Sequence, residues 1–536
     1  MKWKSLIIAL FILLGALRAA SQAGASYNFS IRHYIFNVHL SDLTNIIVGR
    51  ATITVEFTRQ STSISFDLTG EKHDGRGMSV AGVTRNGRNV GYSHLKDVVT
   101  IQLEPAAEKG EVCDFEVAYA GEPDDGLIIS ENKYHHRTFF ADNWPNRAHH
   151  WIPCVDDPSL KAPVDFFVSA PRKYDVISNG LLEETSPLDT VYKMSHWKEL
   201  IPLPTKVMVI GVAEFAINHA GDVGCIPVSS WVFPENKIEG FYDYGQALEI
   251  LPYFIEKIGA YPYLKLANVQ SKTIFGGMEN AGAIFYGENS ITGARKTEGV
   301  LAHEIAHQWF GDFATETAFS HVWLSEGFAT YMADLYFEHK YGTDTLVKIL
   351  KQQRNEVISF AKKSSRPIVD SLTANLMDLL NPNSYQKGAW VLHMLRRKIG
   401  DALFWKSIRA YSAAYGGKNA STIDLEHVIE TASHKDLGRF FQQWLFGSGY
   451  PNLAIAWKYN TKKRIATVNI RQLQDSVFEF PLELSFRSDD NNQLHSINIR
   501  ERITTFDLPV KFYPGELVPD PYTSLLFTYS IDRIMR

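Results

Sequence analysis

The hydrophobic pattern of this 536-residue chain changes its period twice, and this change restricts the fold more than any other feature. Between Tyr27 and about Glu214, apolar residues alternate with polar ones, as in residues 51–57 and 99–103, which is typical of strands with one buried face. From Phe233 to about Gly449 they recur at spacings of three and four, which predicts helices. Beyond Pro451 the alternation returns.

We therefore expect a multidomain α+β protein, since a chain of this length also exceeds the ~100–200 residues of a typical domain. The predicted order is an N-terminal antiparallel β domain over residues 26–214, a central, mainly helical domain over 215–450, and a small C-terminal β-sandwich over 451–536. The helical spacing predicts helices over residues 242–258, 298–310, 322–339, 345–361, 385–399 and 403–415.

The first 25 residues are typical of a secretory signal peptide. Lys2 and Lys4 precede an apolar run from Leu6 to Leu17, and small residues follow up to Ser26. The alternative is a membrane anchor, but a span needs about 20 apolar residues and this run is shorter. We expect cleavage, export to the periplasm or the extracellular space, and no membrane span in the mature chain.

Charge and cysteine content narrow the possible partners. The formal net charge is −5, without the basic excess that nucleic-acid-binding proteins usually show. The three cysteines, Cys113, Cys154 and Cys225, match no zinc-site spacing, and we interpret them as structural or free. Whether two of them form a disulfide stays open.

A zinc site is predicted within the helical block. Residues 303–307 read His-Glu-Ile-Ala-His, and residues four apart share one face of a helix, so His303 and His307 can hold one ion. Glu304 follows His303 on the adjoining side of the helix, where its carboxylate can reach a water on the metal and act as the general base. The helix is apolar elsewhere, so these polar groups need a partner rather than forming a solvated face.

The third ligand is predicted to come from the next helical stretch. A catalytic zinc takes three protein ligands and keeps one open position. Glu326 completes an H-E-x-x-H-x18-E pattern within another apolar helical segment. The predicted cofactor is one Zn²⁺ per chain, held by His303, His307 and Glu326.

A second carboxylate favours an exopeptidase. Residues 276–280 read Gly-Gly-Met-Glu-Asn, and such glycines either let the backbone pass close to a ligand or make a simple turn. An aminopeptidase must hold a free α-ammonium group, which is largely protonated at neutral pH. Glu279 is the candidate for this contact.

These segments resemble peptidase family M1, the gluzincin group that includes aminopeptidase N and the leukotriene hydrolase. The resemblance is carried by residues 276–280, 303–311 and 323–331, together with 144–158 and 385–389, and it spans nearly all of the mature chain. It implies a zinc aminopeptidase with a thermolysin-like catalytic domain, acting on peptides with a free N-terminus.

The resemblance also implies individual roles. Tyr385 would donate a hydrogen bond to the oxyanion of the tetrahedral intermediate. Gly276 and Gly277 would lie along the substrate backbone as an added strand, and Met278 would face the pocket for the first side chain. Asn280 is the last residue of the substrate-binding motif.

Two departures from the family pattern are expected to matter. Family members commonly carry a long C-terminal helical domain, and this sequence resembles a short form without it, which implies a more open site. Some members also supply a Gln or Glu from the first domain to share the α-amine. The corresponding residues 142–146 offer no obvious equivalent.

Other interpretations stay open at this point. The same metal site could serve an endopeptidase or an epoxide hydrolase, and the chain could instead be a non-catalytic peptide-binding protein. The pairs His135-His136 and His149-His150 are more typical of ordinary histidines than of a second metal site. The preferred N-terminal residue and the oligomeric state do not follow from the sequence.

Overall fold

A computed structural model describes residues 27–534, so the predicted signal segment lies outside the described residues. The described chain forms two compact units. One contains residues 27–319 with Tyr411–Ser421, and the other contains Ser320–Ala410 with residues 422–534. Among the helices of residues 27–534, none is long and apolar enough to span a membrane.

The N-terminal part of the first unit is built from strands, as the period-two pattern predicts. The strands are β1 (Phe29–His39), β2 (Ile47–Phe57), β3 (Ser61–Asp67), β4 (Gly77–Arg85), β5 (Arg88–Asn89), β6 (Tyr92–Leu95), β7 (Val98–Ala107), β8 (Val112–Glu122), β9 (Leu127–Glu131), β10 (Arg137–Ala141), β11 (Lys161–Pro171), β12 (Asp175–Ser178), β13 (Leu181–Pro187), β14 (Tyr192–Pro204) and β15 (Ile210–Ala213).

These strands form three sheets. The largest has the order β13-β14-β11-β1-β2-β8-β4-β5, and the others are β3-β7-β6 and β12-β15-β10-β9. One pairing departs from the predicted antiparallel arrangement, because β1 and β11 run parallel with Tyr34 opposite Val164. Parallel neighbours need a long connection, and the chain between β1 and β11 supplies it.

A five-stranded sheet, which the sequence did not predict, continues the first unit. Its strands are β16 (Ala216–Val223), β17 (Ile226–Val232), β18 (Leu266–Ser271), β19 (Gly277–Met278) and β20 (Ala283–Gly287), in the order β16-β17-β18-β20-β19. Strand β18 lies between two parallel neighbours and is buried at every position. A strand covered on both faces shows no alternation, so its pattern resembles that of a buried helix.

Three helices accompany this sheet: α1 (Lys237–Tyr244), α2 (Ala247–Lys257) and α3 (Glu298–His307). The single helix predicted over residues 242–258 is therefore two helices, separated at Gly245 and Gln246. Helix α3 ends at His307, three residues earlier than predicted. The short parallel strands β21 (Ala314–Glu316) and β22 (Lys418–Ala420) also pair in this unit.

The next four helices agree with the predicted ones to within a few residues: α4 (Trp323–Tyr341), α5 (Thr343–Ala361), α6 (Gly388–Ile399) and α7 (Asp401–Tyr415). Two further helices, α8 (Thr422–Ser433) and α9 (Gly438–Phe441), were not predicted. Two π-helical turns span Asn383–Lys387 and Gln442–Phe446, and 3₁₀ turns span Ala148–His150, Thr205–Val207, Pro234–Asn236, Phe319–His321 and Leu376–Leu379.

The C-terminal residues return to strands, as predicted. The strands are β23 (Asn452–Asn460), β24 (Ile465–Gln472), β25 (Phe480–Arg487), β26 (Asn492–Ile499), β27 (Ile503–Pro509), β28 (Glu516–Pro519) and β29 (Thr528–Arg533). They form a four-stranded sheet, β27-β24-β23-β29, and a three-stranded sheet, β26-β25-β28. The sandwich arrangement of these sheets stays a prediction.

Candidate metal centre

Helix α3 is the predicted metal helix, and its two histidines converge on one point. The Nε2 atoms of His303 and His307 lie 3.0 Å apart. Two nitrogens bound to one tetrahedral zinc at its usual bond length would be about 3.4 Å apart, so the pair needs only a small adjustment to hold one ion. Two imidazoles that converge in this way fit a shared divalent metal.

The other ring nitrogen of His307 has a partner that fixes its role. Nδ1 of His307 lies 3.0 Å from the backbone oxygen of Phe310, just beyond the end of the helix. A carbonyl oxygen can only accept, so Nδ1 carries the proton and donates it. Nε2 is then left with the lone pair that a metal requires.

Glu304 lies against the backbone of strand β19. A Cβ added to Gly277 would lie 2.3 Å from Oε1 of Glu304, so a side chain at this position would displace the carboxylate. A Cβ added to Gly276 would meet no atom within 4 Å. Gly277 is therefore required for the close approach of this backbone to the predicted general base.

Glu279 belongs to the same cluster. Single ligand atoms of Glu279, Glu304 and His307 all lie within 4.8 Å of one another, and all three side chains are buried. The loop that the sequence singled out thus brings a second carboxylate beside the predicted base. Two acidic groups with different predicted roles share one small region of the first unit.

Strand β19 is the element to which the sequence assigns the contact with the substrate backbone. It lies at the end of the five-stranded sheet, where Gly277 pairs with Tyr286 and Met278 with Phe285 of β20. An edge strand offers unpaired backbone groups on its outer side, and an added strand can use them. Met278 itself is buried, so its predicted contact with the first substrate side chain stays a prediction.

Asn280 has a fully buried amide. Neither Nδ2 nor Oδ1 has a hydrogen-bond partner within residues 27–534. Leaving a buried donor or acceptor unsatisfied costs about 1–3 kcal/mol, so this side chain is suited to a ligand that would satisfy it.

The N-terminal β segment holds the chain that precedes Gly276. Oδ2 of buried Asp142 accepts hydrogen bonds from the backbone nitrogen of Ile274 at 2.9 Å and from Oγ1 of Thr273 at 3.1 Å. Arg147 donates to Oδ1 of Asp142 at 2.8 Å. Burial raises the pKa of Asp142, although Arg147 opposes this effect. Residues 142–146, predicted to lack an amine-binding helper, thus include an anchor for this loop.

Two lysines, one buried and one half-buried, interact with residues that follow helix α3. Nζ of Lys206 donates to Oε1 of Glu316 at 2.7 Å, and both side chains are almost fully buried. Burial acts to lower the pKa of Lys206, but Glu316 and Glu279 outweigh it, so this pKa is raised. Nζ of Lys161 donates to the backbone oxygens of Asp312 and Phe313, and burial lowers its pKa to about 7.

The two remaining predicted residues lie in the second unit. Glu326 is buried on α4, and Tyr385 is half-buried in the π-helical turn Asn383–Lys387. These segments touch, because a Cβ added to Gly327 would lie 2.9 Å from the Cα of Gly388. π-Helical turns often occur at functional sites. The ligand role of Glu326 and the oxyanion role of Tyr385 stay predictions.

The sequence interpretation missed Gln308 and Asp312, which directly follow the zinc motif. Both are fully buried, and Nε2 of Gln308 donates to Oδ2 of Asp312 at 3.1 Å. Their signal was a polar pair set among the apolar residues Trp309, Phe310 and Phe313, because polar residues in such a segment need internal partners.

Each of the adjacent histidines singled out in the sequence, His135-His136 and His149-His150, lies beside a carboxylate. Nδ1 of His149 lies 2.8 Å from Asp156, and Nδ1 of His150 lies 2.7 Å from Asp124. All three cysteines are free thiols; Cys113 and Cys154 are buried and Cys225 is exposed.

Comparison with known proteins gives two family matches. Residues 30–207 match the Peptidase M1 N-terminal domain, and residues 242–444 match the Peptidase family M1 domain. Together these matches include the β segment that anchors the loop and every predicted site residue.

Several curated proteins are similar to parts of this chain. Glutamyl aminopeptidase of Rattus norvegicus is 26% identical over 344 residues, which cover 60% of this chain and 36% of the relative. Probable aminopeptidase 2 of Sulfurisphaera tokodaii is 27% identical over 399 residues (70% and 50%), and Aminopeptidase 2 of Candida albicans is 24% identical over 485 residues (83% and 50%). The matches thus span between a third and a half of the length of these relatives. On the two domain matches and the motifs they contain, the chain belongs to peptidase family M1.

Proposed function

We propose that the protein is a zinc-dependent aminopeptidase that hydrolyses the N-terminal residue from peptides. The observation that carries the proposal is the clustering of Glu279, Glu304 and His307 within 4.8 Å. Hydrolysis at a metal centre needs one general base, which Glu304 supplies. The second carboxylate beside it has no task in an endopeptidase, but it can hold the α-ammonium of a peptide.

The metal is proposed to be held by His303, His307 and Glu326. The convergence of the two Nε2 atoms supports this assignment for the histidines, and the H-E-x-x-H-x18-E spacing supports it for Glu326. Bound there, zinc would act as a Lewis acid that polarises the scissile carbonyl and lowers the pKa of a water. We also propose the thermolysin-like arrangement of the catalytic segment and the sandwich arrangement of the two C-terminal sheets.

Different side chains have different roles in the proposed reaction. The peptide lies along the edge of β19 at Gly276 and Gly277, with its ammonium on Glu279. Glu304 takes a proton from the attacking water and passes it to the leaving amine. Tyr385 donates a hydrogen bond to the oxyanion, and removal of one such donor typically costs about 10²–10³-fold in rate.

Export is part of the proposal. The charged start, the apolar run and the small-residue exit of the first 25 residues support secretion to the periplasm or the extracellular space. Peptides with a free N-terminus are the proposed substrates.

The first test compares aminoacyl naphthylamides that have free or acetylated N-termini. We expect cleavage of the free form only, with loss of activity in a chelator and recovery with Zn²⁺. Glu304→Gln should lower kcat by about 10²–10⁴-fold while retaining the metal, which elemental analysis measures.

Equal cleavage of the free and acetylated substrates would remove Glu279 from its role and favour an endopeptidase. Turnover that survives the chelator, or full activity in Glu304→Gln, would contradict the mechanism. Absence of turnover together with peptide binding would favour a non-catalytic peptide-binding protein.

A further inference from the structure

Gln308, the residue that follows the last histidine of the zinc motif, has a side-chain amide with four hydrogen bonds. Nε2 donates to the backbone oxygen of Glu279 at 2.7 Å and to Oδ2 of Asp312 at 3.1 Å. Oε1 accepts from the backbone nitrogen of Gly282 at 2.8 Å and from the hydroxyl of Tyr261 at 3.1 Å. The side chain is fully buried.

These four contacts use every donor and acceptor that a glutamine amide offers. They also fix which amide atom is the nitrogen and which is the oxygen. A flipped amide would turn its NH₂ group toward the backbone nitrogen of Gly282 and its oxygen toward the backbone oxygen of Glu279. A buried amide satisfied in this way is rigid, since the loss of any one partner would leave an unpaired polar group.

The two contacts with Glu279 and Gly282 lie just before and within one tight turn, residues 280–283. In this turn the backbone nitrogen of Ala283 donates to the oxygen of Asn280 at 2.9 Å, and Gly282 has a φ of +69°. The amide of Gln308 thus connects Glu279 and this turn to the end of helix α3.

We propose that Gln308 is the positioning residue that sets the spacing between the α-amine contact, Glu279, and the metal helix. This inference rests on the proposed aminopeptidase function and deepens it. A Glu279 carboxylate held at a fixed distance from the helix allows one residue between the substrate ammonium and the bond that is cleaved. Without the amide, the turn keeps its own hydrogen bond but loses the two hydrogen bonds that join residues 279–282 to Gln308.

An ordinary core residue would not show this pattern. Space alone could be filled by a methionine of similar length, with no polar groups to satisfy. The partners of Gln308 belong to three separate parts of the chain, namely residues 279–282, Tyr261 and Asp312. The contacts with the turn are the ones that bear on Glu279.

The test replaces Gln308 by Met, which keeps the length and removes all four hydrogen bonds. We expect kcat/KM for free-amine substrates to fall by about 10²-fold, the size of effect that a 1 Å misplacement can produce, mainly through KM. Discrimination between free and acetylated substrates should fall with it. Tyr261→Phe is the matched control, because it removes one bond to the same amide and leaves the turn attached; it should retain the discrimination of the wild type.

A double-mutant cycle separates positioning from general damage. If Gln308 acts through Glu279, then Gln308→Met should change discrimination little in a Glu279→Gln background, so the two effects are not additive. Additive losses would overturn the inference. Titration calorimetry of a free-amine dipeptide with Glu304→Gln enzyme, with and without Gln308→Met, gives a second measure; an unchanged Kd would also overturn it.

Gln308→Leu, which has a shorter side chain and adds no polar group, covers the case in which Gln308→Met fails to fold. It also removes the hydrogen bonds to Glu279 and Gly282, so discrimination should again fall; wild-type discrimination in this variant would contradict the inference. Failure of the proposed function is recognised separately. If Glu279→Gln alone leaves discrimination unchanged, the role of Glu279 is wrong. If discrimination is lost in Glu279→Gln but kept in Gln308→Met, only the role of Gln308 is contradicted.

Discussion

At the scale of single residues, a glycine lies directly against the predicted base. Gly277 has no side chain, and the space where a Cβ would be is taken by the carboxylate of Glu304. The backbone of β19 and the reactive carboxylate are therefore in direct contact. A peptide lying on the outer edge of β19 would pass close to the base.

Gly277→Ala should therefore lower kcat by about 10²-fold or more, because the added methyl group displaces the Glu304 carboxylate. The three nearest atoms, Oε1, Cδ and Cγ of Glu304, all belong to one side chain and none to the backbone, so we expect a smaller effect on Tm than on kcat. Steady-state kinetics and thermal unfolding check both points.

Gly276→Ala is the matched control, since its Cβ would point into open space. Any effect there should fall on KM rather than on kcat. Equal kcat losses in the two variants would show that contact with Glu304 is not the cause.

The sequence was sufficient to place the residues whose geometry is local. His303 and His307 are four apart on one helix, and their convergence follows from helical spacing alone. Gln308 could not be assigned in the same way, because its partners at Glu279, Gly282 and Tyr261 are distant in sequence. Only tertiary structure brings such partners together.

At the scale of secondary-structure elements, helix α4 combines the predicted third ligand with a second buried acid. Asp334 lies two turns beyond Glu326 and accepts a hydrogen bond from Nε2 of Gln353 on α5 at 2.9 Å. Burial raises the pKa of Asp334 to about 8 from its ordinary value of 3.8, and the bond from Gln353 only partly opposes this. The folded protein therefore holds this carboxyl protonated near neutral pH.

The sign of the resulting pH dependence follows from proton binding. Between pH 3.8 and about 8 the folded state holds a proton on Asp334 that the unfolded chain releases, so this group's contribution to stability falls as the pH rises. Asp334→Asn removes that dependence. The two proteins should have similar Tm values near pH 4, and the variant should be the more stable near pH 8, by a few kcal/mol at most.

Thermal unfolding across this pH range measures the difference. Parallel curves of Tm against pH for the two proteins would show that Asp334 is not held protonated in the folded state.

The element scale also shows where sequence patterns were informative. Amphipathic helices such as α5 were predicted to within two residues, because one face is solvated and the period is visible. Strand β18, with all six residues buried, had no such contrast. The sheet that carries the predicted substrate-binding loop was missed for this reason.

At the scale of the whole molecule, one ion pair links the two segments that match the family separately. Lys206 lies at the end of the N-terminal match, and Glu316 lies in the catalytic match. Asn179 adds a second link, because its Nδ2 donates to the backbone oxygens of Val207 and Ala281 at 2.9 Å each. The first unit is therefore continuous across both matches.

Lys206→Ala should destabilise the protein strongly, by about 3–5 kcal/mol, because it leaves the Glu316 carboxylate buried without its partner. Replacing both residues by Met removes the two charges together and should recover most of the loss. Denaturant unfolding, compared by midpoints because the protein has several domains, measures the effect. A double variant no more stable than Lys206→Ala would contradict this account.

The sequence predicted the succession of β, mainly helical and β regions, because hydrophobic period is a property of each stretch of chain. It could not predict the parallel pairing of β1 with β11 or the ion pair of Lys206 with Glu316. Both join residues more than a hundred positions apart. Such pairings depend on topology, which no local pattern records.

The buried Lys206–Glu316 pair also bears on how genes of this kind can recombine. A crossover between the codons for residues 207 and 242 would join halves from two parents. If one parent has uncharged residues at both positions, one chimaera would carry Glu316 without Lys206 and so bury an unpaired carboxylate. The reciprocal chimaera would carry Lys206 without Glu316 and so bury an unpaired ammonium group. Viable chimaeras at this junction should therefore come from parents that share both charges or lack both.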